Sequence, residues 1–166
     1  MSGVGSNSSV NRGEFANTDA ERYQILQDYR KIAVVGLSSN PYRPSHFVGV
    51  YMRQHGYEIT PVNPKEQEVL GRTSYPSLKK VPPPLEIVDI FRDPAAIPGI
   101  VEEAIECGAK VIWMQLGLIH EGAARRAKDA GLQVVMDRCI KIEHARFRGG
   151  LNQLGLNGGL LSSRPR

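Results

Sequence analysis

The fold of this chain is decided by the segment Lys31-Ile-Ala-Val-Val-Gly-Leu-Ser-Ser-Asn-Pro-Tyr-Arg-Pro-Ser45. The segment begins with a short apolar run that stops at Gly36, a pattern typical of a buried parallel strand. The stretch 44–55 then carries apolar side chains at helical spacing and ends before Gly56. A strand that passes through a glycine turn into a helix is the first unit of an α/β fold.

The same alternation of strand and helix continues along the chain. Further strands are predicted at 57–62, 86–91, 110–115 and 132–136, and further helices at 19–29, 98–107 and 121–130. Strands alternating with helices become parallel neighbours with right-handed crossovers. We therefore predict an α/β, Rossmann-like, doubly wound fold with a mostly parallel five-stranded sheet and helices on both faces.

The chain length indicates one domain, because 166 residues are too few for two ordinary ones. Residues 1–18 are rich in Gly, Ser and Asn and predict a disordered lead. The domain is expected at 19–148, and residues 149–166 are expected to form a flexible tail. The leucines of that tail leave a partner contact open.

The composition excludes several classes of protein. Hydrophobic residues make up 41% and charged residues 23%, as in soluble globular domains, and the net charge of +4 is scattered rather than gathered into a nucleic-acid surface. No apolar run approaches the roughly 20 residues of a membrane span, and the amino end lacks a secretory apolar region. Two cysteines fit neither a disulfide scaffold nor a metal site. We expect a cytoplasmic protein that binds no metal, nucleic acid or membrane.

The loop after the first strand carries the first candidate site. Gly36 permits a sharp turn, and the N-terminus of the following helix favours an anion. Ser45 is expected to cap that helix, and Arg43 is able to grip a phosphate in a forked geometry. Ser38 stands where a dinucleotide fingerprint has its second glycine, which disfavours a standard NAD site.

The end of the second strand, Asn63-Pro64-Lys65, carries the next candidate. NAD-binding domains place an acidic residue there to bind the ribose hydroxyls. Lys65 instead suits a phosphorylated ribose, which is found in NADP and in coenzyme A. An exposed lysine in a turn is the alternative, and the missing glycines favour coenzyme A over NADP.

Residues 29–143 contain seven blocks in a characteristic order and spacing: Val35-Gly-Leu-Ser38, Arg43-Pro-Ser45, Val62-Asn-Pro-Lys65, Val69-Leu-Gly71, Val88-Asp-Ile-Phe-Arg92, Trp113-Met-Gln-Leu-Gly117 and Val135-Met-Asp-Arg-Cys139. Together these blocks resemble the small CoA-binding domain proteins, the stand-alone relatives of the CoA-binding domain of the succinyl-CoA ligase alpha subunit. The ligase carries its phosphorylated histidine in a second domain, so the resemblance does not extend to ligase activity.

The resemblance implies a coenzyme A site built from several loops. It places Ser38, Ser39, Asn40 and Pro41 along the diphosphate and pantetheine, Lys65 at the 3′-phosphate, Phe91 and Arg92 on the floor, and Gln115 to Gly117 beside the pantetheine arm. The complete set of predicted binding residues is Gly36, Ser38, Ser39, Asn40, Pro41, Arg43, Ser45, Asn63, Pro64, Lys65, Phe91, Arg92, Gln115 and Gly117.

Five residues remain open to more than one interpretation. Arg92 either faces the ligand or pairs with Asp89 or Asp93. Trp113 is more typical of a core than of a cofactor platform. Gln115 either binds a ligand amide or satisfies loop backbone, and His120 is favoured as a polar helix start over a general base. Cys139 is either a buried thiol or a partner for the thiol of coenzyme A.

We therefore predict a protein that binds coenzyme A or an acyl-CoA and has no catalytic residues of its own. Two alternatives stay open. One is an NADP-dependent oxidoreductase, for which the chain has no visible substrate domain. The other is a nucleotide-sensing regulatory or scaffold protein that uses its apolar tail. A homodimer through exposed helices is also left open.

Overall fold

A computed structural model of the chain describes residues 15–148, so most of the predicted lead and all of the predicted tail lie outside the described part. Five parallel strands form the central sheet: β1 (Lys31–Val35), β2 (Glu58–Val62), β5 (Ile87–Ile90), β6 (Val111–Met114) and β7 (Gln133–Val135). Their spatial order is β2-β1-β5-β6-β7. The predicted fold class is confirmed.

Helices cover both faces of the sheet, and strands β5 and β6 are buried at every position. On one face, α1 (Asp19–Asp28), α2 (Pro44–Gln54) and α5 (Ile140–Arg148) pack on the side that holds Trp113. On the other face, α3 (Ile97–Glu106) and α4 (Glu121–Asp129) pack on the side that holds Ile112. Such two-sided burial is what the near-continuous apolar strands predict.

Local sequence explains where two of the helices begin. The Thr18 side chain accepts a hydrogen bond from the backbone of Glu21, and the Glu21 side chain accepts one from the backbone of Thr18. His120 precedes α4, and its Nδ1 accepts a hydrogen bond from the Ala123 N–H at 3.0 Å. The interpretation of His120 as a polar helix start is confirmed.

Three features were not predicted from the sequence. A small antiparallel hairpin, β3 (Glu68–Val69) with β4 (Arg72–Thr73), follows the second central strand. Helix α5 follows the last strand and is joined to α1 by a buried ion pair between Arg22 and Glu143, with Nε and Oε2 3.0 Å apart. Phe15, which falls in the predicted lead, is buried in the core.

Gly36 lies where β1 leaves the sheet, and its neighbourhood admits no side chain. Its φ is +90°, and a Cβ added there would lie 2.3 Å from the carbonyl oxygen of Phe91. Both the backbone conformation and the space therefore require glycine. No helix within residues 15–148 is long and apolar enough to cross a membrane.

We expect Gly36→Ala to lower the free energy of unfolding by more than Gly131→Ala. Gly131 has nearly the same φ, +89°, but nothing lies within 4 Å of an added Cβ. Gly131→Ala should therefore lower the free energy of unfolding only by the cost of an alanine in left-handed backbone, about 1–2 kcal/mol. Gly36→Ala adds to this cost a clash between the new Cβ and the Phe91 carbonyl oxygen. Urea unfolding of both variants measures the difference, and equal losses would contradict the close approach.

Candidate functional site

A crevice of ≈ 650 Å³ opens at the carboxyl ends of β1, β2, β5 and β6. It lies at the switch in strand order, because the chain passes from β1 outward to β2 and then returns to place β5 on the other side of β1. Ligands of doubly wound sheets bind at this point. Its volume lies within the usual range of small-molecule sites.

Nine of the predicted binding residues line this crevice together: Gly36, Ser38, Arg43, Ser45, Asn63, Lys65, Phe91, Arg92 and Gln115. The first loop supplies Ser39, Asn40 and Pro41 as exposed residues outside the lining. Pro64 lines a smaller neighbouring cavity of ≈ 180 Å³. Gly117 donates its backbone N–H to the Asp137 side chain at 2.8 Å.

The β1–α2 loop is held by polar groups from the first turn of α2. The Ser38 N–H donates to the Ser45 hydroxyl oxygen at 3.1 Å, and Nδ1 of His46 lies 2.9 Å from the Ser38 carbonyl oxygen. Because a carbonyl only accepts, that His46 nitrogen carries the proton. The prediction that Ser45 caps α2 is wrong. The cap position belongs to Arg43, and buried Ser45 fixes the loop instead.

A second set of contacts joins the first loop to the chain after β2. Asn63 donates from its side chain to the Leu37 carbonyl at 3.1 Å and accepts from the Lys65 backbone N–H at 3.0 Å. The Glu66 carboxylate accepts from both the hydroxyl and the N–H of Ser39, at 2.7 and 3.2 Å. These bonds lower the pKa of Glu66. Asn63 therefore sets the position of Lys65, and Ser39 has its donors occupied.

Three cationic side chains converge on the crevice without partners. Arg43, Lys65 and Arg92 are all exposed, and within residues 15–148 none of them forms a side-chain hydrogen bond or ion pair. The alternative that Arg92 pairs with Asp89 or Asp93 is therefore wrong. Asp93 is the one acidic residue among the described lining residues. The crevice thus has an excess of positive charge and suits an anionic ligand.

The remaining crevice wall is apolar and was only partly predicted. Val48 and Ile142 line it from α2 and α5, beside Leu116, Leu118 and Cys139. Val48 lies three positions after Ser45, and Ile142 three positions after Cys139. Helical spacing from Ser45 could have revealed Val48, because that helix was predicted, whereas Ile142 lies on a helix that the sequence did not reveal.

Two other candidates have structural positions. Trp113 is fully buried and donates its indole N–H to the Arg138 carbonyl at 2.8 Å, so it belongs to the core. Cys139 is half-buried and lines the crevice. The described residues contain no group of three or more His, Cys, Asp or Glu side chains that is suited to a metal.

Comparison with known proteins gives a match to the CoA binding domain family over residues 30–145. The chain belongs to this family. The uncharacterized protein YneT of Bacillus subtilis is 48% identical to this CoA binding domain over 126 residues, 76% of this chain and 93% of YneT. A hypothetical protein from Pyrococcus horikoshii OT3 has 44% identity and a TM-score of 0.79, covering 81% of this chain and 94% of that protein.

A larger protein is also similar to this CoA binding domain. The acetate–CoA ligase (ADP-forming) II subunit alpha of Pyrococcus furiosus is 27% identical over 129 residues. The match covers 68% of this chain and 27% of that subunit. The resemblance identified in the sequence is confirmed at the level of the family.

Asp89 lies beneath the crevice of this CoA binding domain as a fully buried carboxyl group. Its Oδ1 accepts a hydrogen bond from Nε2 of Gln115 at 2.5 Å, and its Oδ2 has no partner. Burial raises the pKa of Asp89 from its ordinary 3.8 to about 8, against a smaller lowering by the Gln115 bond. At neutral pH the carboxyl group is therefore mainly protonated.

We expect Asp89→Asn to be more stable than the native chain at pH 8, with the difference shrinking toward pH 4. Between pH 3.8 and about 8 the folded state holds a proton on Asp89 that the unfolded chain has lost. Stability is thus fully present below the unfolded pKa and declines as pH rises through this window. Urea unfolding at several pH values measures it; parallel profiles for the two proteins would contradict the raised pKa.

Proposed function

We propose that this chain binds coenzyme A or an acyl-CoA in the crevice at the carboxyl edge of the sheet. The supporting observation is the group of three unpaired cations, Arg43, Lys65 and Arg92, around one cavity. Coenzyme A carries a diphosphate and a 3′-phosphate, so it offers several anionic groups to such a cluster. Uncompensated cations near a surface attract phosphate strongly because guanidinium and ammonium groups form charge-assisted hydrogen bonds with it.

The positions of the cations support contacts with different phosphate groups of the ligand. Arg43 precedes the first turn of α2, where helix polarity also favours an anion, so we assign it to the diphosphate. Lys65 follows β2, where a nucleotide ribose lies in related folds, so we assign it to the 3′-phosphate. Arg92 follows β5, on the other side of β1 from β2, and lines the same crevice.

The apolar wall supports an assignment for the rest of the ligand. The pantetheine arm is uncharged and mostly apolar, with two amide groups, and it matches a surface of Phe91, Leu116 and Ile142 that also contains the polar Gln115. The two parts of the crevice thus differ in polarity as the two parts of coenzyme A do. The names of the matching family and of the Pyrococcus furiosus ligase subunit, which both include CoA, agree with this assignment.

The proposal is for binding without catalysis. Among the described lining residues Cys139 is the strongest nucleophile, and no histidine lines the crevice beside it. The described lining therefore lacks the cysteine–histidine pair of a nucleophilic cysteine with its own general base.

We expect coenzyme A to bind more tightly than 3′-dephospho-CoA, because the latter lacks the phosphate assigned to Lys65. Isothermal titration calorimetry at fixed ionic strength compares the two ligands, with NADPH as a third. Equal affinities for coenzyme A and its dephospho form would remove the role of Lys65. Tighter binding of NADPH than of coenzyme A would instead support the oxidoreductase alternative.

We expect Lys65→Ala to weaken coenzyme A binding about tenfold and to leave 3′-dephospho-CoA almost unchanged, the size expected for one charged hydrogen bond. Arg43→Ala should weaken both ligands, because both retain the diphosphate. Lys110→Ala is the matched control, since Lys110 is an exposed lysine at the opposite, amino-terminal edge of the sheet. If Lys110→Ala weakens coenzyme A binding as much as Lys65→Ala does, the effect comes from the net charge of the protein and not from a contact of Lys65 with the 3′-phosphate.

A further inference from the structure

Gln115 is held in the crevice wall with one end of its carboxamide engaged and the other open. The residue is 4% exposed and lines the crevice directly after β6. Its Nε2 donates to Asp89, while its Oε1 accepts no hydrogen bond from any residue in 15–148. Within the described residues, Oδ2 of Asp89 is the only fully enclosed side-chain N or O atom without a partner, so Oε1 of Gln115 is not fully enclosed. The open oxygen therefore reaches the space of the crevice.

The orientation of this amide depends on its partner. A carboxamide has a donor end and an acceptor end of nearly the same shape, and neighbouring hydrogen bonds decide which end points where. Oδ1 of Asp89 accepts from the N–H end, with the proton of the neutral carboxyl group on Oδ2, and the oxygen of Gln115 is left toward the crevice. Buried polar atoms are nearly always satisfied, and Asp89 keeps one oxygen that is not. The side-chain hydrogen bond that Asp89 does form within residues 15–148 is the one that orients Gln115.

We propose that Asp89 is a positioning residue that turns the amide oxygen of Gln115 into the crevice, where it accepts a hydrogen bond from an amide N–H of the pantetheine arm. This inference rests on the proposed function and adds a specificity to it. A site with a fixed, desolvated acceptor favours ligands that carry a matching N–H donor, because a ligand without one leaves the acceptor unpaired. The cations alone would accept any nucleotide with suitable phosphates.

In the pair of Asp89 and Gln115, only Gln115 is placed to contact a ligand. Asp89 is fully enclosed and cannot touch the ligand, so any effect of Asp89 on ligand preference has to pass through Gln115. Removing Gln115 should therefore abolish the influence of Asp89 on binding. This dependence is the feature that a test can isolate.

The test compares two ligands in native and variant proteins by calorimetry. Desulfo-CoA contains the pantetheine arm without its thiol, and adenosine 3′,5′-bisphosphate lacks the arm altogether. We define the arm preference as the ratio of their affinities. We expect Gln115→Leu and Asp89→Leu each to lower this ratio about threefold to tenfold, as for the loss of one hydrogen bond. The affinity for adenosine 3′,5′-bisphosphate should stay unchanged, which also shows that the variants are folded.

Two further variants separate positioning from general damage. Asp89→Asn keeps an oxygen acceptor at the same place and is expected to retain the native ratio. The double variant Asp89→Leu with Gln115→Leu is expected to match Gln115→Leu alone, because the two residues act in series. Additive losses, or a ratio that Gln115→Leu leaves unchanged, would overturn the inference.

The outcomes distinguish this inference from the proposed function. If the native protein binds neither ligand, the proposed function itself fails. If it binds both and the arm preference is insensitive to Gln115 and Asp89, coenzyme A binding stands and the positioning role is refuted. Should Asp89→Leu not fold, Asp89→Ala, which also removes the acceptor but needs less space, takes its place in the single and the double variant.

Discussion

The close approach of Gly36 to the carbonyl of Phe91 is the constraint on which the rest of the structure depends. The Gly36 N–H donates to the Val62 carbonyl at 2.8 Å, so the last residue before the first loop is still tied to β2. On its other side the chain of β5 passes so near that no Cβ fits. The first strand thus ends between two neighbours that leave in different directions. The crevice is the space between their departing loops.

The charge of the crevice follows from how its loops are held together. The side chains of Ser45, His46 and Asn63 supply most of the contacts that hold the loops, and the carboxylate of Glu66 is bonded to Ser39. No acidic side chain is left to neutralise the cations at the crevice among the described residues, apart from exposed Asp93. Because few carboxylates are used to hold these loops, the crevice keeps a net positive charge that attracts an anionic ligand.

Sequence patterns predicted the sheet well because burial on both faces leaves continuous apolar runs, as in residues 31–35. They predicted nine crevice residues because ligand contacts follow the carboxyl ends of strands. Helix α5 was missed although Ile140, Glu143, His144 and Phe147 are buried at helical spacing, since charged and polar side chains at two of these positions hid the period. Glu143 is buried only because Arg22, far away in sequence, pairs with it. Such partners cannot be read from a local window.

The same limit applies to the polar pair beneath the crevice. Asp89 stands in an apolar strand, where a sequence offers no sign of whether the carboxyl group finds a partner. The register of the strands decides this: Asp89 lies opposite Trp113 of β6, and Gln115 follows two residues later, directly after that strand. The contact of Gln115 with Asp89 depends on strand pairing, which composition and periodicity do not determine.

The ion pair between Arg22 of α1 and Glu143 of α5 connects the amino-terminal helix to the wall of the crevice. Cys139 and Ile142 form one wall of the crevice, and Glu143, the next residue, is anchored by Arg22, 121 positions earlier in the chain. Shortening the polypeptide past Arg22 would remove that ion pair, and we expect it to loosen the hold on this wall. Helix α1 therefore supports the crevice although none of its residues lines the cavity.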